Sequence, residues 1–120
     1  MLGHPCVTAV TLYVRLTYIA TFHILPAVIK SWASAETKAL YEGADSLLLP
    51  ADLHRQARRK LMILDAAVEL GDLQILTSNF LEKLEGDRTG QHCIRITEQY
   101  RICFVWKQGH AHDVEIVDFH

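Results

Sequence analysis

Residues 94–106 read Ile94-Arg95-Ile96-Thr97-Glu98-Gln99-Tyr100-Arg101-Ile102-Cys103-Phe104-Val105-Trp106, and the alternation within them decides the fold. Ile94 and Ile96 alternate with Arg95. Further on, Tyr100, Ile102, Phe104 and Trp106 fall at every second position, the period of a strand with one buried face. Thr97, Glu98 and Gln99 make a short polar turn between the two runs, so the stretch predicts an antiparallel hairpin. Gln108, Gly109 and His110 predict the next turn, and Val114 with Ile116 marks a last strand that carries the chain to His120. Tyr100 and Trp106 read as core residues, with base stacking as the alternative for two exposed aromatic rings.

Upstream of the hairpin the period lengthens. Pro50 suits a first helical turn, and Leu53, Ala57, Leu61, Leu64 and Val68 recur at spacings of three and four before Gly71, which predicts one long amphipathic helix. Ser34 followed by Glu36 predicts the start of a shorter helix that runs to about Glu42 and stops at Gly43. Residues 28–32, Val-Ile-Lys-Ser-Trp, read as an opening strand. Helices followed by a run of strands predict an α+β fold, with two N-terminal helices packed on one face of a small antiparallel sheet.

A chain of 120 residues is of single-domain size, and residues 28–120 are expected to form that domain. With 50% hydrophobic and 22% charged residues it reads as globular, which sets aside the disordered and fibrous classes. Three cysteines without CxxC spacing suggest neither a disulfide framework nor a thiolate zinc site, and point to a reducing, cytoplasmic compartment. The net charge of -2 does not mark a nucleic-acid binder, so any basic surface must be local. The densest such cluster is Arg55, Arg58, Arg59 and Lys60 on the long helix; it reads either as a solvated face or as an RNA or ribosome contact, joined by Arg95 on the hairpin. His110, His112 and His120 include a His-x-His pair, but no Cys or acidic residues complete a zinc set, and no metal is expected.

Residues 1–27 are treated as an extension. They are crowded with aliphatic residues, and their only Lys or Arg is Arg15. That charge would sit near the middle of any membrane span, where it costs ~3 kcal/mol, and no positive n-region precedes the apolar run. No membrane is expected. The preferred reading is that translation begins near Val28; an added strand or helix on the domain is the alternative.

Three segments in order, Leu81-Glu82-Lys83-Leu84-Glu85-Gly86-Asp87-Arg88, Gln99-Tyr100-Arg101-Ile102-Cys103-Phe104-Val105-Trp106 and Val114-Glu115-Ile116-Val117-Asp118-Phe119-His120, resemble the HigB branch of the RelE/ParE toxin superfamily. Ile29-Lys30-Ser31-Trp32 resembles the start of that family. The resemblance implies a RelE-like fold and a toxin of a type II toxin-antitoxin system. It further implies metal-independent cleavage of mRNA on the translating ribosome without a cofactor, and a HigA-type antitoxin as partner.

Such chemistry needs a base for the 2′-hydroxyl, a cation for the phosphate and an acid for the leaving oxygen. Arg101 is the candidate cation, because a guanidinium forks onto two phosphate oxygens and stays charged; a surface salt bridge is its other reading. His120 is the candidate acid or base, and Asp118 either orients it or is a solvated strand-end carboxylate. Glu82 is the candidate general base or else a surface residue. Many relatives carry His at the position of Glu82, Lys at that of Glu85 and Tyr at that of Phe119, and a phenylalanine cannot transfer a proton. These departures, with the acidic net charge, motivate a second reading, a catalytically weakened toxin that acts as an antitoxin-binding module; the shared superfamily fold leaves a third, a ParE-like inhibitor of DNA gyrase, against which the terminal Asp118-Phe119-His120 favours the ribonuclease branch.

Overall fold

The computed structural model describes residues 27–119, so the expectations for residues 1–26 and for His120 lie outside the described residues. Helix α1 spans Ala35–Tyr41 and helix α2 His54–Ala66. The strands are β1 Glu82–Lys83, β2 His92–Arg95, β3 Tyr100–Lys107 and β4 His110–Asp118. All strand pairs are antiparallel, in the order β1-β2-β3-β4. The α+β class and the hairpin at residues 94–106 are as the alternation predicts.

Local chemistry sets the ends of α1. Ser34 Oγ accepts from the Thr37 amide at 3.1 Å, and Gly43, at φ 109, lets the chain reverse where a side chain would be strained. Buried Thr37 docks the helix on the sheet, its Oγ1 accepting from the Ile116 amide at 3.0 Å. Between β3 and β4, Gln108 and Gly109 both take positive φ, which gives a two-residue hairpin turn closed by the Lys107–His110 pair. His110 is thus the first residue of β4 and lies outside the turn.

Two elements differ from expectation. Helix α2 ends at Ala66, well short of Gly71, and Val68 is exposed instead of completing the apolar stripe. Asp72 is the cause: its Oδ2 accepts from the amides of Val68 and Glu69 at 2.9 and 3.0 Å, fixing a 3-10 turn over Leu70–Gln74. Residues 28–32 form no regular strand; Ile29 and Trp32 make isolated parallel bridges to Ala111 and Val114 on the outer side of β4. Asp113, at φ 54, bulges β4 between those bridges and donates its amide to Ser31 Oγ, which interrupts the ladder.

The core lies between the helices and one sheet face, where Leu40, Leu61, Leu64, Ile94, Ile102, Phe104 and Val114 are fully buried. Each such side chain contributes about 1.5–3 kcal/mol. Asp65, also buried, ties the opening segment to this layer: Oδ1 accepts from the Val28 and Ile29 amides and Oδ2 from the Tyr41 hydroxyl, each at 2.8 Å. On the opposite sheet face Leu84 packs with Cys93 and Cys103, beside Val117 and Phe119, and no α-helix residue joins that cluster. This open face carries the candidate chemistry.

Candidate active site

Strand alternation sends Ile102 and Phe104 into the core, so Arg101 and Cys103 point to the open face. The register opposes Arg101 to Arg95 and Cys103 to Cys93, while Glu82 of β1 stands opposite Cys93. Glu82 therefore shares the open face with Arg101 from two strands away, and the two long side chains meet across β2. Arg101 Nη1 donates to Glu82 Oε1 at 2.8 Å, Nε donates to the Glu98 carbonyl at 3.2 Å, and the guanidinium lies 5.0 Å from the Phe119 ring centroid. The Arg101 side chain is only 13% exposed and that of Glu82 is 50% exposed. A shielded cation, oriented on three sides, meets solvent behind a half-exposed carboxylate.

Asp118 and Phe119 are held by the turn before β3. Gln99 Nε2 donates to Asp118 Oδ1 at 2.9 Å, and the Phe119 amide donates to the Gln99 carbonyl at 2.6 Å. Because Asp118 pairs with Tyr100, it starts from the face opposite Arg101. It reaches the site at its rim, where it lines a groove of about 560 Å³ with Phe119, Leu84, Glu85 and Arg88. The structure thus brings Arg101, Glu82 and Phe119 together and sets Asp118 beside them.

Beneath them Cys93 and Cys103 are both free and fully buried. Burial pushes the Cys93 thiol up, partly offset by its hydrogen bond with Arg101, and pushes Cys103 up to about 12. Both are neutral packing groups, and neither serves as a thiolate nucleophile. Arg88, 3.3 Å from Glu115, adds a second cation to this side. Sequence reasoning passed over Arg88 and Gln99 as roles, although both stand in the quoted segments; their signal is position in the sheet, which spacing alone does not supply.

The basic helix needs correction. Lys60 is 6% exposed, and its ammonium donates to Asn79 Oδ1 at 2.6 Å and Ser78 Oγ at 3.1 Å, with its pKa lowered first by burial and then by Arg59. Arg58 donates to the carbonyls of Leu40 and Ala44, each at 2.8 Å, closing the end of α1. Both are committed to the fold because α2 packs these flanks against neighbouring turns. Arg55 and Arg59 stay exposed, but α2 lies on the core side of the sheet, so they do not join Arg101. Arg95 is half-buried beside Arg101, with its guanidinium 4.5 Å from the Phe80 ring centroid. His110 and His112, 6.4 Å apart, sit at the other end of β4, and among the described residues no group of three or more His, Cys, Asp or Glu could hold a metal ion. Nor, among those residues, is any helix long and apolar enough to cross a membrane.

Comparison with known proteins returns one family, described as the RelE-like toxin of type II toxin-antitoxin system HigB, over residues 30–120. Toxin HigB-1 of Vibrio cholerae is 44% identical over 64 residues, covering 53% of this chain and 67% of that protein. Endoribonuclease HigB of Proteus vulgaris is 30% identical over 93 residues, covering 78% of this chain and 100% of that protein.

Proposed function

The chain belongs to the HigB family of RelE-like toxins of type II toxin-antitoxin systems, and from that premise we propose that its open sheet face cuts mRNA on the translating ribosome. It is an endoribonuclease toxin, and an antitoxin is its partner. The carrying observation is Arg101, a shielded guanidinium fixed between Glu82, the Glu98 carbonyl and Phe119.

Arg101 receives the scissile phosphate and stabilises the charge that builds on its oxygens. Glu82 swings from the guanidinium and takes the proton of the 2′-hydroxyl, whose oxygen attacks phosphorus. The bond from phosphorus to the 5′-oxygen breaks, and His120, placed by sequence just beyond Phe119, protonates that oxygen. The products are a 2′,3′-cyclic phosphate and a 5′-hydroxyl end. Phe119 packs against Arg101 and carries no proton; Asp118 orients the terminal imidazole. Arg55 and Arg59, with Arg95, supply the remaining contacts to RNA or ribosome, and a HigA-type antitoxin holds the toxin inactive in the cytoplasm.

Glu82 also favours a second reading, because its salt bridge occupies the cation that a phosphate needs: a weakened toxin that acts chiefly by binding antitoxin. Induction of the full chain without antitoxin separates the two. Growth arrest with cuts in translated mRNA, abolished by Arg101→Ala through a loss of about 10²–10³ in rate, is the expected result. Intact growth and mRNA would refute the nuclease reading, and arrest with DNA damage in place of mRNA loss would point to gyrase.

A further inference from the structure

Next to Arg101 the open face holds an arrangement that the cleavage chemistry does not use. Arg95 stands directly opposite Arg101 across the β2–β3 ladder, where like charges repel. Glu82 answers the charge of Arg101. Among the described residues no carboxylate answers that of Arg95, and its Nε is buried with no hydrogen-bond acceptor. Its guanidinium lies over one face of Phe80.

Phe80 is itself unusual. It sits in the left-handed region at φ 46, ψ 53, a conformation that bulky residues adopt only when the surroundings impose it, and the residue is 55% exposed. The surroundings are visible: the preceding residue, Asn79, is fully buried, accepts from Lys60 and donates to the Leu73 carbonyl at 2.9 Å. The buried Lys60 thus anchors the turn that presents Phe80. An unanswered cation, a donor without an acceptor and a strained, exposed aromatic ring meet at one spot, one strand away from the catalytic cation.

We propose that Arg95 and Phe80 form a nucleotide subsite flanking the scissile bond, with Arg95 binding the neighbouring phosphate and the base stacking on Phe80. A single-stranded RNA answers both the charge and the ring, since its phosphate supplies the missing anion to the guanidinium and its base covers the ring. An acidic peptide would meet the charge but leave a flat aromatic surface unused. The subsite rests on the nuclease reading above.

The test uses the purified full chain and a short single-stranded RNA, 2′-O-methylated so that it is not cut, with binding followed by fluorescence anisotropy. Phe80→Gly is expected to weaken binding about tenfold, the loss of one stacked base. Its unfolding temperature should hold, because glycine adopts the left-handed region without strain. Phe80→Asn provides a second variant compatible with that backbone, and Phe80→Trp should restore affinity. An abasic site at one flanking position should cost the wild type about tenfold and Phe80→Gly nothing further. Wild-type affinity in Phe80→Gly and Phe80→Asn would overturn the subsite while the nuclease reading stands on Arg101→Ala. Variants that lose antitoxin but keep RNA would overturn it in favour of a protein contact. A wild-type chain that neither binds nor cuts RNA would remove both.

Discussion

Replacing Glu82 by glutamine tests the centre with two opposed effects. Its carboxylate is 2.8 Å from Arg101 Nη1, and the two side chains are 13% and 50% exposed. At a charge separation of ~4 Å and an effective dielectric of ~20 the attraction would be ~4 kcal/mol. Screening of a half-exposed carboxylate reduces the net effect to ~1 kcal/mol. With Glu82→Gln the guanidinium loses its resident anion, and a phosphate should bind about fivefold more tightly, the equivalent of that ~1 kcal/mol. The same substitution removes the base, so single-turnover cleavage should fall by about 10²–10³. Binding to 2′-O-methylated RNA and cleavage on programmed ribosomes are measured side by side. Tighter binding with unchanged or faster cleavage would refute the assignment of Glu82 as base and make it a brake on Arg101.

Two predictions concern the frame that carries the site. Asp65→Ala leaves the amides of Val28 and Ile29 and the Tyr41 hydroxyl without their buried acceptor, and should cost about 2–4 kcal/mol in urea unfolding; a change within ~0.5 kcal/mol would show that water replaces it. Alkali gives the second. Cys103 is pushed from 9.0 up to about 12 by burial, and Tyr41 is raised from 10.0 by burial and by Asp65. Both groups release protons later in the folded than in the unfolded chain, so their contribution is complete below pH ~9 and fades as pH rises toward ~12. Unfolding free energy measured from pH 8 to 11 should decline, and Cys103→Ala combined with Tyr41→Phe should flatten the decline; an equal slope in the variant would contradict the shifts.

What the amino-acid sequence determined by itself was whatever depends on near neighbours. The hairpin follows from a two-residue period in Tyr100, Ile102, Phe104 and Trp106, and α1 from the Ser34 cap and Gly43, because strand faces and helix ends are set by contacts a few residues apart. The family was legible for a related reason: three segments kept their order and residue types from Leu81 onward. Even local reading had limits, since Asp72 drew the amides of Val68 and Glu69 away from α2, a competition that hydrophobic period does not register.

Tertiary structure decided the rest, because it joins residues that spacing keeps apart. Lys60 looked like one member of a basic face until Asn79, nineteen residues on, was found at its ammonium. Arg101 and Glu82 lie equally far apart in the chain, and only the β1–β2–β3 register puts them on one face where their side chains meet across β2. Phe80 carried no sequence signal at all. Its ring matters because a buried asparagine fixes its backbone and an antiparallel strand lays Arg95 upon it, and both are facts of three-dimensional packing.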